Sequence, residues 1–156
     1  MVPQIYNGNI FDSVADVICH QVNCQGVMGA GIALQIKKRY PIVYEKYKEY
    51  CDSNPLYNIL GTAQIVQVDR FTFVANLFAQ ETYGKLKPGT TYTNYTALKN
   101  AFIDISINAD KYGYRSIAIP YGIGCGLAGG DWDKVWGIIN EVFMFTSLSV
   151  QVWRLR

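Results

Sequence analysis

The sequence has one histidine, few charges and no long apolar run. The histidine is His20, and the four cysteines include no C-x-x-C pair. A zinc site is not expected, because such sites take several Cys or His ligands at short spacing. No apolar stretch reaches the ~20 residues that span a bilayer, and the amino-terminal segment lacks the parts of a signal peptide. We therefore expect a cytoplasmic protein with no bound metal, no cofactor and no membrane contact.

The charges that are present nearly cancel. Lys and Arg number 14 and Asp and Glu number 12, which gives a net charge of +2. This balance lacks the strong basic footprint of a duplex nucleic-acid binder. Half of the 156 residues are apolar, which is enough for a sizeable core in a chain of this length. We expect a single domain over residues 1–156 and a monomer.

The apolar runs and turn signals predict strands that alternate with helices. The predicted strands are 2–6, 17–23, 62–68, 71–77, 115–120 and 148–154, and the predicted helices are 30–39, 41–51, 91–111 and 132–144. Thr91 and Asp131 are the expected caps of the last two helices, and 52–60 reads as a loop. The short Asp69-Arg70 turn makes one strand pair antiparallel. The pattern indicates an α/β fold with a mixed sheet.

Two predicted strands end in glycine-rich loops that open helices. The first loop follows Asn23 and contains Gly26, Gly29 and Gly31; the second occupies 121–130. Such loops let backbone N–H groups approach an anion, and the helix start adds positive potential. If the two strands are neighbours, both loops flank one crevice, and two facing cradles suit a diphosphate. Glycines that serve loop geometry alone are the alternative.

Other phosphate motifs do not fit. The sequence contains no G-x-x-x-x-G-K-[ST], which excludes a P-loop nucleotide hydrolase. The G-V-M-G-A-G run from Gly26 to Gly31 has the wrong spacing for a dinucleotide fingerprint. The acidic residue about 20 positions on, Glu45, falls in a predicted helix rather than at a strand end.

Several segments together resemble the macrodomains. These are N-C-Q-G-V-M-G-A-G-I-A, Y-P, N-L-F-A-Q and P-Y-G-I-G-C-G-L-A-G-G-D-W. The most similar branch contains terminal ADP-ribose–protein glycohydrolases, DNA–ADP-ribose glycohydrolase antitoxins and yeast-type ADP-ribose 1″-phosphate phosphatases. The resemblance covers nearly the whole chain. It implies a three-layer α/β/α sandwich around a six-stranded mixed sheet, with ADP-ribose across the top of the sheet.

The resemblance also implies which residues bind the ligand. The diphosphate and distal ribose would contact Gly29, Ala30, Gly31 and Ile32 in the first loop and Gly122, Ile123, Gly124, Cys125, Gly126 and Leu127 in the second. Asn23 would face the distal ribose. Asn9 and Ile10 match a G-D-I motif that contacts adenine, with an amide in place of the usual carboxylate. Trp153 matches an aromatic that packs on adenine; an ordinary edge-strand aromatic is the alternative.

The expected catalytic residues are only partly present. The glycohydrolase branch uses a Lys near the end of the fourth strand and an Asp in the second loop. This chain has N-L-F-A-Q at the strand end, Lys85 and Lys87 only later, and Ala128 at the aspartate position. His20 matches a His of the phosphatase branch and is a candidate nucleophile or acid–base. A histidine that only shapes the pocket is the alternative.

Two functions follow from the sequence. The first is hydrolysis of an ADP-ribose derivative, either the 1″-phosphate or an adduct on protein, nucleic acid or a small molecule. His20, Asn23 and Asp131 are its candidate catalytic residues, although Asp131 also reads as a helix cap. The second is ADP-ribose binding without turnover.

Overall fold

A computed structural model describes residues 1–155 and shows six strands in one mixed sheet. The strands are β1 (Gln4–Asn7), β2 (Val17–Asn23), β3 (Ala63–Gln67), β4 (Phe73–Gln80), β5 (Ser116–Pro120) and β6 (Ser149–Arg154). Their order across the sheet is β1-β6-β5-β2-β4-β3. Only the β3–β4 pair is antiparallel, which confirms the predicted hairpin.

Five helices connect the strands within the described residues. They are α1 (Gly31–Arg39), α2 (Pro41–Ser53), α3 (Leu56–Ile59), α4 (Tyr95–Tyr112) and α5 (Trp132–Phe143), and a 3₁₀ turn spans Ile10–Asp12. One apolar cluster joins the sheet to α4 and α5, and a second joins it to α1, α2 and α3. The molecule is therefore the three-layer α/β/α sandwich that the resemblance implies.

The central strands are buried on both faces. Val17, Cys19, Ala75 and Leu77 have no exposed surface and belong to the cluster under α4 and α5. The alternate residue Val22 belongs to the cluster under α1 and α2. Parallel strands covered on both sides have continuous apolar sequences, which is why 17–19 lacks alternation.

Two local predictions are wrong. Asn94 rather than Thr91 caps α4, because the Asn94 side chain accepts a hydrogen bond from the N–H of Ala97. The segment 52–60 contains the single turn α3, whose Ile59 is buried in the second cluster. Burial of Ile59 stabilises a turn that local propensity does not predict. The Asp131 cap of α5 is confirmed by its side-chain hydrogen bond to the N–H of Asp133.

Candidate functional site

β2 and β5 stop pairing after their first residues, and we call the gap between the two strands beyond that point the crevice. The β2–β4 ladder joins seven residue pairs, whereas the β2–β5 ladder joins only Val17 with Ile117 and Ile18 with Ala118. The two glycine loops leave β2 and β5 at their carboxyl ends and flank this gap. This arrangement is the one that places ligands in open α/β sheets.

The first loop carries exposed backbone donors. Gly29, Ala30 and Gly31 are exposed, and Ile32 is half-buried. The N–H groups of Met28, Gly29 and Ala30 donate to no backbone carbonyl within residues 1–155. They precede the start of α1, whose positive end favours an anion. The first loop can therefore bind a phosphate through its backbone.

Asn23 holds this loop in shape. Its Nδ2 donates to the Val27 carbonyl at 2.8 Å, and its Oδ1 accepts from the Gln25 N–H at 2.9 Å and the Tyr47 hydroxyl at 2.8 Å. The sequence predicted that Asn23 faces the distal ribose, but the side chain is buried and committed to its own loop. A register shift between Val22 and Asn23 alters the side-chain alternation there. Asn23 is therefore a positioning residue in this structure.

The second loop is a compact turn with further free donors. The Cys125 N–H donates to the Gly122 carbonyl and the Gly130 N–H to the Gly124 carbonyl, both at 2.8 Å. The N–H groups of Gly124, Gly126 and Leu127 donate to no backbone carbonyl of the described chain. Ile123 is buried, whereas Gly126 and Leu127 are exposed. This loop thus offers a second set of backbone donors across the crevice.

A polar network joins β2 and the end of β4 to the second loop. Gln21 Nε2 donates to Gln80 Oε1 at 2.8 Å and to Thr93 Oγ1 at 2.9 Å, and the Thr93 hydroxyl donates to the Gly124 carbonyl at 2.6 Å. Gly124 has φ +73°, and a Cβ there would lie 2.6 Å from Gln21 Oε1. Only glycine fits this position.

His20 belongs to a different, buried network. Its Nε2 lies 2.5 Å from Asn76 Oδ1, and Asn76 Nδ2 donates to Gln64 Oε1 at 3.1 Å. The three residues lie side by side on β2, β4 and β3. Burial lowers the pKa of His20 to about 4, although the bond to Asn76 opposes the shift. The ring is therefore neutral at pH 7.

This placement does not support the predicted nucleophile. His20 has no exposed surface, so its ring cannot contact a ligand in the crevice. A catalytic acid or base must come within hydrogen-bonding reach of the reacting atom. His20 is instead a core histidine whose side-chain network joins three strands, which differs both from a nucleophile and from a histidine that shapes the pocket.

The residues that the resemblance places at the adenine end of the crevice pack into one apolar cluster. Ile10 and Ile18 are buried together there, with Ile32 and Trp153 packed against them. Trp153 stacks on Tyr6 with ring centroids 5.4 Å apart, and a Cβ on Gly8 would come within 3.2 Å of its ring. Because β6 lies between β1 and β5, the edge-strand alternative for Trp153 is wrong.

Asn9 begins the 3₁₀ turn at this end. Its Oδ1 accepts a hydrogen bond from the Phe11 N–H at 3.0 Å. The side-chain oxygen of Asn9, the atom of the amide that could accept from an adenine N–H, therefore already has a backbone partner. The Asn9 amide group is half-buried.

The remaining acid and base candidates have structural partners or lie in solvent. Asp131 is exposed and caps α5. Ala128 is buried, and its carbonyl accepts from the N–H groups of Tyr92 and Thr93. Lys85 and Lys87 are exposed in the loop after β4. The candidate site therefore has backbone donors but no assembled catalytic pair of the glycohydrolase kind within the described residues.

Sequence reasoning missed the residues that support the loops. Tyr47 lies 24 residues after Asn23 and bonds both its carbonyl and its side chain. Gln21, Gln80 and Thr93 form the link to the second loop. Polar residues at the carboxyl end of a buried strand were the available signal for Gln21 and Gln80.

No group of three or more His, Cys, Asp or Glu side chains within residues 1–155 is placed to hold a metal ion. No helix in the same range is long and apolar enough to cross a membrane.

Known proteins are similar to this chain in sequence and in architecture. The chain is 27% identical over 150 residues to a DNA ADP-ribosyl glycohydrolase of Thermus aquaticus, covering 94% of this chain and 39% of that protein. It is 25% identical over 163 residues to an ADP-ribose 1″-phosphate phosphatase of Debaryomyces hansenii, covering 90% and 89%. A structure of a protein of unknown function from Bacteroides thetaiotaomicron superposes with a TM-score of 0.87 at 28% identity and 99% coverage of both chains.

The fold and the paired loops define a class of three-layer α/β/α proteins with a backbone anion cradle over a mixed sheet. A sequence model of the Macro domain matches residues 19–139, which include both loops. The chain belongs to the Macro domain family.

Proposed function

We propose that this chain binds ADP-ribose in the crevice between the two glycine loops and hydrolyses a derivative of it. The observation that carries the binding proposal is the pair of loops across the short β2–β5 ladder. Each loop presents backbone N–H groups that donate to no backbone carbonyl in the described chain. Two such cradles suit the two phosphates of a diphosphate.

The apolar group beside the loops suits the adenine ring. Ile10, Ile32 and Trp153 pack together there, and the Trp153 ring offers a surface on which a purine can stack. The diphosphate would then lie across β5 and β2 and the distal ribose toward β4. Asn9 would contribute its free amide N–H₂ to the adenine edge.

The names of two relatives, both hydrolases, support the proposal of hydrolysis. The Thermus aquaticus relative is a DNA ADP-ribosyl glycohydrolase and the Debaryomyces hansenii relative an ADP-ribose 1″-phosphate phosphatase. This chain spans only 39% of the former. The missing loop aspartate at Ala128 and the buried His20 favour the second candidate function, ADP-ribose binding without turnover.

Calorimetry tests the binding proposal. We expect one ADP-ribose per chain and weak binding of AMP, because AMP lacks the second phosphate and the distal ribose. Trp153→Ala should weaken ADP-ribose binding, with Trp136→Phe on α5 as the matched aromatic change outside the crevice. Absence of heat at high micromolar protein would contradict the proposal.

Turnover assays separate the two candidate functions. The protein is incubated with ADP-ribose 1″-phosphate, ADP-ribosylated protein and ADP-ribosylated DNA, and the products are separated by chromatography. Product from one of these substrates supports hydrolysis, whereas binding without product supports the reader. The monomeric state and cytoplasmic location inferred from the sequence stay predictions.

A further inference from the structure

A second cleft lies beside the end of β4, next to the part of the crevice in which we propose that the distal ribose binds. It has a volume of about 520 Å³ and is lined by the segments 81–82 and 91–96, which begin and end the β4–α4 loop. Four of its lining residues are threonines: Thr82, Thr91, Thr93 and Thr96. None of these residues was among the predicted ligand contacts.

Hydrogen bonds fix the cleft to both glycine loops. The Glu81 carbonyl accepts from the Cys24 N–H at 3.2 Å and from Gln25 Nε2 at 3.1 Å, which joins one wall to the first loop. Thr93 bonds the Gly124 carbonyl, which joins the opposite wall to the second loop. The cleft therefore begins where the two loops meet the end of β4. A group attached to the distal ribose would extend into it.

Most side chains that line the cleft are uncharged and can form hydrogen bonds. One of them, Glu81, carries a negative charge. The threonine hydroxyls and the Asn94 and tyrosine side chains donate and accept hydrogen bonds. Glu81 is the one carboxylic acid among the lining residues, and neither Lys nor Arg lines the cleft. Lys85 and Lys87 follow Glu81 in the chain but are exposed and do not line it.

The start of α4 is the opposing charge. The Asn94 side chain occupies the Ala97 N–H, which leaves the N–H groups of Tyr95 and Thr96 at the cleft. A helix start carries roughly half a positive charge, whereas the Glu81 carboxylate carries a full negative one. The sum of these two charges is negative and therefore disfavours the binding of a phosphate dianion in the cleft.

We propose that this cleft binds the group attached to the distal ribose, and that Glu81 selects an uncharged group over a phosphate. The proposal rests on the proposed ADP-ribose binding and specifies the class of derivative. Glu81 is a specificity-determining residue that acts through its charge and takes part in no bond-breaking step.

Three ligands of similar size test the proposal by calorimetry: ADP-ribose, 1″-O-methyl ADP-ribose and ADP-ribose 1″-phosphate. The wild-type protein should bind the methyl glycoside within about twofold of ADP-ribose and the phosphate about three- to fivefold more weakly, the size of an exposed charge interaction. Raising the salt to about 0.5 M should narrow this gap, because exposed charges are screened. Free phosphate is followed in each titration so that the intact ester is measured.

Glu81→Gln should reduce the gap between the phosphate and the methyl glycoside to less than about twofold. Glu49→Gln is the matched control, since Glu49 lines a separate cavity with Lys46 and Gln64. Equal or tighter binding of the phosphate by the wild-type protein would overturn the proposal, as would an equal gap in the two variants. If ADP-ribose binds and the gap is absent, only the cleft proposal fails; if ADP-ribose does not bind, the proposed function fails with it.

Discussion

His20 and Gln21 are neighbours on β2, but their side chains serve opposite faces of the sheet. His20 bonds Asn76 in the core, whereas Gln21 bonds Gln80 and Thr93 and so reaches the second glycine loop. Successive residues of a regular strand point to opposite faces of the sheet. The consequence is that the first residue affects stability and the second affects the shape of the site.

The buried neutral His20 makes stability depend on pH. Burial lowers its pKa from the ordinary histidine value of 6.5 to about 4 in the folded chain. The unfolded chain therefore binds a proton that the folded chain does not, so stability is full above pH 6.5 and falls as the pH drops toward 4. The full loss is about 3 kcal/mol, measured by urea unfolding between pH 7.5 and 4.

His20→Gln is the variant that isolates this effect, because glutamine can bond Asn76 but does not titrate. Carboxylates contribute equally to both proteins, so the difference between the two curves reports His20 alone. Parallel curves would mean that the pKa of His20 is not lowered. Because the ring is buried, we expect the variant to alter turnover only through stability.

Helix α4 depends on one cap that also shapes the cleft. Asn94→Ala removes the hydrogen bond to the Ala97 N–H and should cost about 1 kcal/mol of unfolding free energy. Thr91→Ala is the control, since the exposed Thr91 hydroxyl makes only a 3.3 Å bond to the Gly129 carbonyl. The free energy of unfolding of both variants is measured in urea. A larger loss for Thr91→Ala than for Asn94→Ala would show that Thr91, the residue predicted from the sequence, caps the helix.

Two glycines of the second loop, Gly124 and Gly126, differ in how much space they leave for a side chain. Gly124→Ala would place a Cβ at positive φ against Gln21 and Thr93 and should cost about 1–3 kcal/mol of stability. Gly126→Ala meets nothing within 4 Å and should leave stability nearly unchanged. Thermal unfolding of both variants checks the difference, and equal losses would show that the Gln21–Thr93–Gly124 link does not constrain the loop.

Local patterns predicted most elements, and non-local contacts account for the errors. Both loops and the Asp131 cap were found because their signals lie within a few residues. The Asn23 orientation was not found, because it depends on the Tyr47 hydroxyl 24 residues later. The burial of His20 depends on Asn76, 56 residues away. Pairing of β4 with β2 brings His20 beside Asn76, and packing of α2 against the sheet brings Tyr47 to Asn23. No short sequence window contains either contact.

For the whole molecule, ligand binding should raise the unfolding temperature. A ligand present at 100 times its Kd adds about 2.7 kcal/mol, which corresponds to about 5–11 °C for a chain of this length. Differential scanning fluorimetry should show this shift with ADP-ribose and a much smaller one with AMP at the same concentration. Equal shifts would indicate that the distal ribose and second phosphate make no contact.

β1 and β6 are the first and last of the six strands in sequence order, and they pair in parallel. Gln4 lies beside Gln151, and Asn7 lies beside Arg154. On the ribosome, β1 emerges well before its partner β6, with the other four strands made between them. Gly8 and Trp153 come together only after β6 has emerged, so the expected adenine end of the crevice is completed after both glycine loops have been made. A nascent chain that lacks β6 could already contain both glycine loops, yet it would have no surface on which a purine could stack.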